Sequence, residues 1–133
     1  MNKFLLDRDI CIHFLKGKYN LKQKIEKVGI SNCYISEITV AELIFGAFNS
    51  TNFEKHIKEV KLIEELFTVL PIYDCLSKFG KEKAKLKKAG NLIPDFDLLI
   101  GITAIHHDMN MVTNNVKHLS RIDGIQIDNW VKP

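Results

Sequence analysis

No apolar run in this chain is long, and the runs that read as strands are separated by stretches with helical spacing. Lys3 to Leu6 opens the series, followed by Cys33 to Ile35, Thr68 to Ile72, Met109 to Thr113 and Ile125 to Ile127. Between most of them apolar residues recur at intervals of three and four, the period of a helix with one buried face. Such alternation pairs strands in parallel and covers both faces of the sheet with helices. The expected class is therefore α/β. Without an internal repeat, a low-complexity segment or a linker, residues 1–133 are expected to form a single domain.

Local signals set the expected helix boundaries. A first helix runs from Ile10 to Gly17, and a second covers Leu21 to Val28 and stops at Gly29. Ser36 stands in the N-cap position of a third, which reaches Phe48. Phe53 to Leu66 is amphipathic, and Tyr73 to Ala89 is helical and rich in lysine. Pro71 ends the third strand early. The most apolar helix opens at Asp95 or Asp97 and ends at His106.

The formal charge of +3 permits an anionic partner without requiring one. The cysteines, at 11, 33 and 75, form no CxxC pair and read as reduced, buried side chains. No apolar run approaches the roughly 20 residues of a membrane span. The expected compartment is the cytosol.

In parallel sheets, ligands bind beyond the carboxyl ends of the strands. Asp7 stands there after the first strand, and Asn114 and Asn115 after the fourth. Glu42 lies on the helix that follows the second strand, and Asp95 and Asp97 open the helix that feeds the fourth. Clustered carboxylates repel unless a cation neutralises them or one stays protonated. An oxygen-only set suits Mg²⁺ or Mn²⁺, which keep several waters and accept a phosphate oxygen. The chemistry indicated is metal-dependent cleavage of a phosphate ester.

Each acid also has a structural role to weigh. Asp7 and Asp9 both suit an end-of-strand turn or a helix cap, with the cap favoured for Asp9. Asp95 reads as a cap of the apolar helix and Glu37 as a helix N-terminal carboxylate. Glu42, between Val40-Ala41 and Leu43-Ile44, borders a buried face. Asp97 precedes Leu98-Leu99-Ile100. A carboxylate in such surroundings needs a partner, so Asp7, Glu42 and Asp97 are the functional candidates, ahead of Asp9 and Asp95. His106 and His107 read as C-terminal helix cations, because neighbours on a helix diverge by about 100°. The lysines from 78 to 88 wrap around their helix and read mostly as a solvated face.

Four stretches, FLLDRDICI, ISEITVAELIFGA, IPDFDLLIGITA and MVTNNVKHLSRIDGIQIDNW, occur in an order and spacing that resemble PIN-domain ribonucleases. The similarity is specifically to VapC-type toxins of bacterial VapBC toxin–antitoxin systems, over nearly the whole chain. It implies a three-layer α/β/α domain with a five-stranded parallel sheet. It also implies metal-binding acids at Asp7, Glu42 and Asp97, a fourth polar position at Asn115, and Thr113 as a supporting hydroxyl. Mg²⁺ or Mn²⁺ is the implied cofactor, and RNA, in several members transfer RNA, the implied substrate. The implied partners are a second copy of the chain and a VapB-type antitoxin whose tail covers the acids.

Two positions depart from the family pattern. Arg8 replaces a small hydroxyl residue, and Asn115 replaces a frequent Asp. Arg8 favours an alternative, a PIN scaffold that binds RNA or a partner without cutting. A further alternative is a haloacid-dehalogenase-like phosphatase, since Asp7-x-Asp9 and Val112-Thr113-Asn114 resemble two of its motifs. In that case Asp7 would be a nucleophile carrying an aspartyl-phosphate.

Overall fold

Leu5 faces one side of the sheet while Phe4 and Leu6 face the other, and none of the three is more than 7% exposed. A strand with both faces buried belongs at the centre of a parallel sheet. The computed structural model, which describes residues 2–131, places it there. Five parallel strands, β1 (Phe4–Leu6), β2 (Cys33–Ser36), β3 (Thr68–Leu70), β4 (Asn110–Val112) and β5 (Ile127–Asp128), lie in the order β3-β2-β1-β4-β5. The strand facing β1 on one side is β2, with Phe4 opposite Cys33. On the other side β4 aligns Leu6 with Val112.

Helices α1 (Arg8–Leu15), α2 (Leu21–Val28), α3 (Glu37–Phe48) and α4 (Phe53–Leu66) cover one face, with Phe4, Leu6, Ile35 and Val112 beneath them. Helices α5 (Leu76–Lys88) and α6 (Asp95–His106) cover the other, over Leu5 and Met111. A short α7 (Val116–Leu119) follows β4. The three-layer α/β/α arrangement with a five-stranded parallel sheet is as expected. None of the described helices is long and apolar enough to cross a membrane.

The chain steps outward from β1 through β2 to β3, then crosses back to place β4 on the other flank of β1. The gap between the carboxyl ends of β1 and β4 is therefore the switch point at which an open parallel sheet forms a crevice.

Several local expectations need correction. Asp7, not Asp9, caps α1: its carboxylate accepts from the Arg8 N–H at 2.8 Å, and the helix starts at Arg8 rather than Ile10. Asp95 does not cap α6. Pro94 occupies the cap position, with ψ 142° and no side-chain cap, and Asp95 instead accepts from Lys83 at 2.9 Å. Tyr73–Cys75 forms a separate 3₁₀ turn before α5, and the last strand starts two residues later than expected, at Ile127. Ser36 caps α3 as expected, accepting from the Ile38 N–H at 3.1 Å. Glu37 does more than meet the helix dipole, since it also accepts from the Ile72 N–H at 2.8 Å.

His106 and His107 also behave differently from the expectation. His107 occupies the C-cap of α6, outside helical geometry, and the two rings meet edge to face with centroids 4.9 Å apart. The 100° divergence of helical neighbours therefore does not separate them.

Helix α6 is buried along most of its length, and Gly101 explains how it fits. A Cβ there would collide with Ile122 Cδ1 and press on Leu119 Cδ2 at 3.3 Å. Glycine thus lets the side chains of Ile122 and Leu119 pack directly against the α6 backbone.

Candidate active site

Asp7 follows Leu6 without a linker, so the strand ends where the helix cap begins. Its backbone N–H still donates to the Val112 carbonyl at 2.9 Å, which ties it to the end of β4. Its second carboxylate oxygen accepts from the Thr113 hydroxyl at 2.7 Å. Thr113 Oγ1 in turn accepts from the Asn115 N–H at 2.9 Å. Neighbouring strand ends across the switch point therefore hold one carboxylate in a fixed orientation.

Asp97 arrives from the first turn of α6. Asn115 Nδ2 donates to its Oδ2 at 3.0 Å, and His118 Nδ1 lies 3.3 Å from the same oxygen. Asn115 and His118 are three residues apart at the start and within α7, and so share a face. His118 was not a candidate from the sequence. Its only local signal is the Asn-x-x-His spacing, and the carboxylate it meets is distant in the chain.

Glu42 comes from α3. Its nearest cation is Arg8, whose Nη1 lies 3.9 Å from Oε2. Arg8 also donates to Asp9 at 3.1 Å through Nη2. The guanidinium thus lies between Asp9 and Glu42 rather than folding back onto Asp7.

Asp7, Glu42, Asp97 and Asn115 line one pocket of about 370 Å³, with Arg8, Asp9, Asn114 and His118 completing its wall. Thr113 lies buried behind it. Asp95 is not part of it.

Burial raises the Asp7 carboxyl above its ordinary value. The hydrogen bonds from Thr113 and Arg8 pull the other way, and the charges of Asp9 and Asp97 add to the rise. Glu42 is also raised, mainly by burial, with Arg8 opposing and the three aspartates adding to it. Like charges thus accumulate at a low-dielectric site that a divalent cation would relieve. The donor set is oxygen, as hard cations prefer. Three acids opening onto one pocket suit an ion which keeps several waters and uses few direct protein ligands. The residues present fit Mg²⁺ or Mn²⁺.

Comparison with known proteins agrees with this geometry. Residues 4–125 match the PIN domain family. The chain is 33% identical over 132 residues to Ribonuclease VapC1 of Haemophilus influenzae, covering 97% of this chain and 98% of that protein. It is also 33% identical over 132 residues to the tRNA(fMet)-specific endonuclease VapC of Salmonella typhimurium, covering 98% and 99%. A solved structure of DNA-bound VapBC from Salmonella typhimurium matches with a TM-score of 0.89 at 30% identity, over 98% of this chain and 99% of that one. The phosphatase alternative falls with these relationships. A parallel sheet with its acids gathered at the switch point, matched by relatives along almost its whole length, assigns this chain to the PIN-domain family, among the VapC proteins.

Proposed function

We propose that this chain is a toxin-type endoribonuclease that depends on Mg²⁺ or Mn²⁺ and acts in the cytoplasm on structured RNA such as transfer RNA. One observation carries the proposal. Asp7, Glu42, Asp97 and Asn115, from four separate segments, line a single pocket in a chain 33% identical to VapC ribonucleases.

Asp7, Glu42 and Asp97 would hold the ion, and Asn115 orients Asp97 through its amide. When bound, the ion supplies activation of water and neutralisation of charge on the phosphate. Thr113 keeps Asp7 in one rotamer, and its hydrogen bond favours the ionised form. His118 and Asn115 together prevent Asp97 from turning away. Arg8, with its side chain 45% exposed, offers a cation at the pocket rim to an RNA phosphate.

The antitoxin has a surface to occupy. An apolar groove of about 340 Å³ between α1, α3 and α4 adjoins the acidic pocket, and Arg8 and Glu42 line both. Phe45, at 68% exposed, lines the groove, and Phe48, at 70%, lies nearby on α3. A VapB-type antitoxin chain lying there would reach the acids, in keeping with the toxin–antitoxin complexes among its structural relatives. We further propose that the toxin works as a homodimer.

The deciding experiment incubates the purified chain with transfer RNA, with and without chelator, beside Asp7→Asn and Asp97→Asn. Cleavage that requires the divalent ion and both acids supports the nuclease. The Arg8–Glu42 contact favours the second reading, a scaffold that binds RNA without cutting. Binding that ignores chelator, with no cleavage under any divalent ion, would establish that reading instead.

A further inference from the structure

A second potential metal centre lies away from the acids. Cys75, His106 and His107 each present a ligand atom, and the three atoms lie within 4.8 Å of one another. Cys75 ends the 3₁₀ turn before α5, while the histidines close α6. Asp97 and His106 stand near opposite ends of α6, separated by about 14 Å of helical rise.

We propose that Cys75, His106 and His107 form a zinc-class site, with one coordination position left for water. One sulfur and two imidazoles make a borderline-soft set that suits Zn²⁺ and is a poor match for Mg²⁺. Ligand atoms around tetrahedral zinc lie roughly 2.0–2.3 Å from the ion and hence about 3.3–3.7 Å apart. The observed spread closes with side-chain shifts of about an ångström. Cys75 is buried and both histidines are half-buried, so the site has a dry floor and a solvent-facing entrance. The backbone supplies the convergence, because His107 has left helical geometry and its ring turns toward His106. An ion held here would join the turn leading into α5 to the end of α6, elements already in contact.

Two neighbours already engage these ligands, the Thr103 side chain hydrogen-bonded to Cys75 and Lys78 beside His106. Lys78 Nζ lies 2.9 Å from His106 Nδ1. Lys78 is an exposed side chain on a flexible stem, so zinc displaces it by rotation. Ligation also requires the Cys75 thiol to lose its proton, which is released to solvent as the metal–sulfur bond forms.

The test uses the full chain, stripped with chelator and returned to buffer holding excess Mg²⁺ to occupy the acidic pocket. Calorimetric titration with Zn²⁺ is expected to show one equivalent bound, and Zn²⁺ to raise the melting temperature. Co²⁺ in place of Zn²⁺ should give a thiolate-to-cobalt charge-transfer band and the visible absorption of a tetrahedral centre. Cys75→Ser should abolish the band. His107→Ala should weaken zinc binding by more than the roughly 10–100-fold that loss of an outer-shell partner costs a metal site. His107 is half-exposed, so this variant keeps the comparison valid where Cys75→Ser loses its fold. Asp97→Asn should change neither readout. A cobalt spectrum without the sulfur band, or zinc affinity unchanged in His107→Ala, overturns the proposal.

Discussion

The Thr113 hydroxyl donates to Asp7 Oδ2 at 2.7 Å while accepting from the Asn115 N–H at 2.9 Å, so one oxygen sets both a carboxylate and the turn into α7. Thr113→Val removes both bonds without changing the side chain's shape much. The loss leaves buried polar groups unmatched, at about 1–3 kcal/mol of stability. It also removes a bond that favours ionised Asp7, so the acid limb of the pH–rate profile is expected to move to higher pH. Thr113→Ser should return the limb to its original position, which a purely structural role would not require.

Asp7→Asn and Asp97→Asn should each lower RNA cleavage on the order of 10²-fold or more, the size expected for groups acting at the reacting atoms. Neither should unfold the chain. In Asp7→Asn the new amide oxygen can still accept from the Arg8 N–H. In Asp97→Asn the new amide can exchange donor and acceptor roles with Asn115. Cleavage assays alongside circular dichroism would reveal the two outcomes separately.

Arg8 gives a prediction with two opposed readouts. Its guanidinium lies 3.9 Å from Glu42 and partly neutralises a carboxylate of the proposed metal site. Arg8→Thr should tighten Mn²⁺ binding by about 2–5-fold, the range an exposed ion pair allows. The same change should weaken RNA binding and reduce its salt slope by about one. Calorimetry with Mn²⁺ and RNA titrations at several salt concentrations would measure both.

Folding stability should also depend on pH in the absence of metal. Burial raises Asp7 and Glu42 above their ordinary values of 3.8 and 4.5. Once pH passes those values the native state holds more protons than the unfolded chain, so stability falls as pH rises. The decline continues until pH exceeds the raised native values, and then levels off. Saturating Mg²⁺ should reverse it, and Asp7→Asn should flatten part of it. Chemical denaturation across that range, with and without Mg²⁺, measures the effect.

Gly101→Ala tests the close approach of α6. The added methyl meets Ile122 and Leu119 with no space to spare. The expected cost is about 1–3 kcal/mol, as for other overpacked positions. Leu119 belongs to the short helix that also carries His118, so activity should fall further than stability alone explains. A melting curve and a cleavage assay on the same preparation separate the two losses.

The expectations that held were those with a strong local cause. Ser36 beside the apolar period of α3, Gly29 after α2, and the continuous apolar run Phe4-Leu5-Leu6 each act within a few residues. The meeting of Asp7, Glu42 and Asp97 at one pocket was legible because polar groups gather beyond the carboxyl ends of parallel strands. The misses needed contacts between distant segments. Asp95 left its cap for Lys83 on another helix. His118 approaches Asp97 from 21 residues away. Helix α7 is four residues long, too short for any period to appear. Asp7 rather than Asp9 took the cap because the strand runs straight into the helix, leaving no turn residue for Asp9 to follow.

Arg8 and Glu42 form a shared wall, with the apolar groove on one side and the carboxylate pocket on the other. A partner that settles against that wall handles a carboxylate assigned to the proposed metal site and a cation proposed to meet RNA. If those roles hold, escape from such an inhibitor at position 42 would blunt the enzyme, and at position 8 it would trade against the grip on RNA. Inhibition and activity would then be constrained to change together.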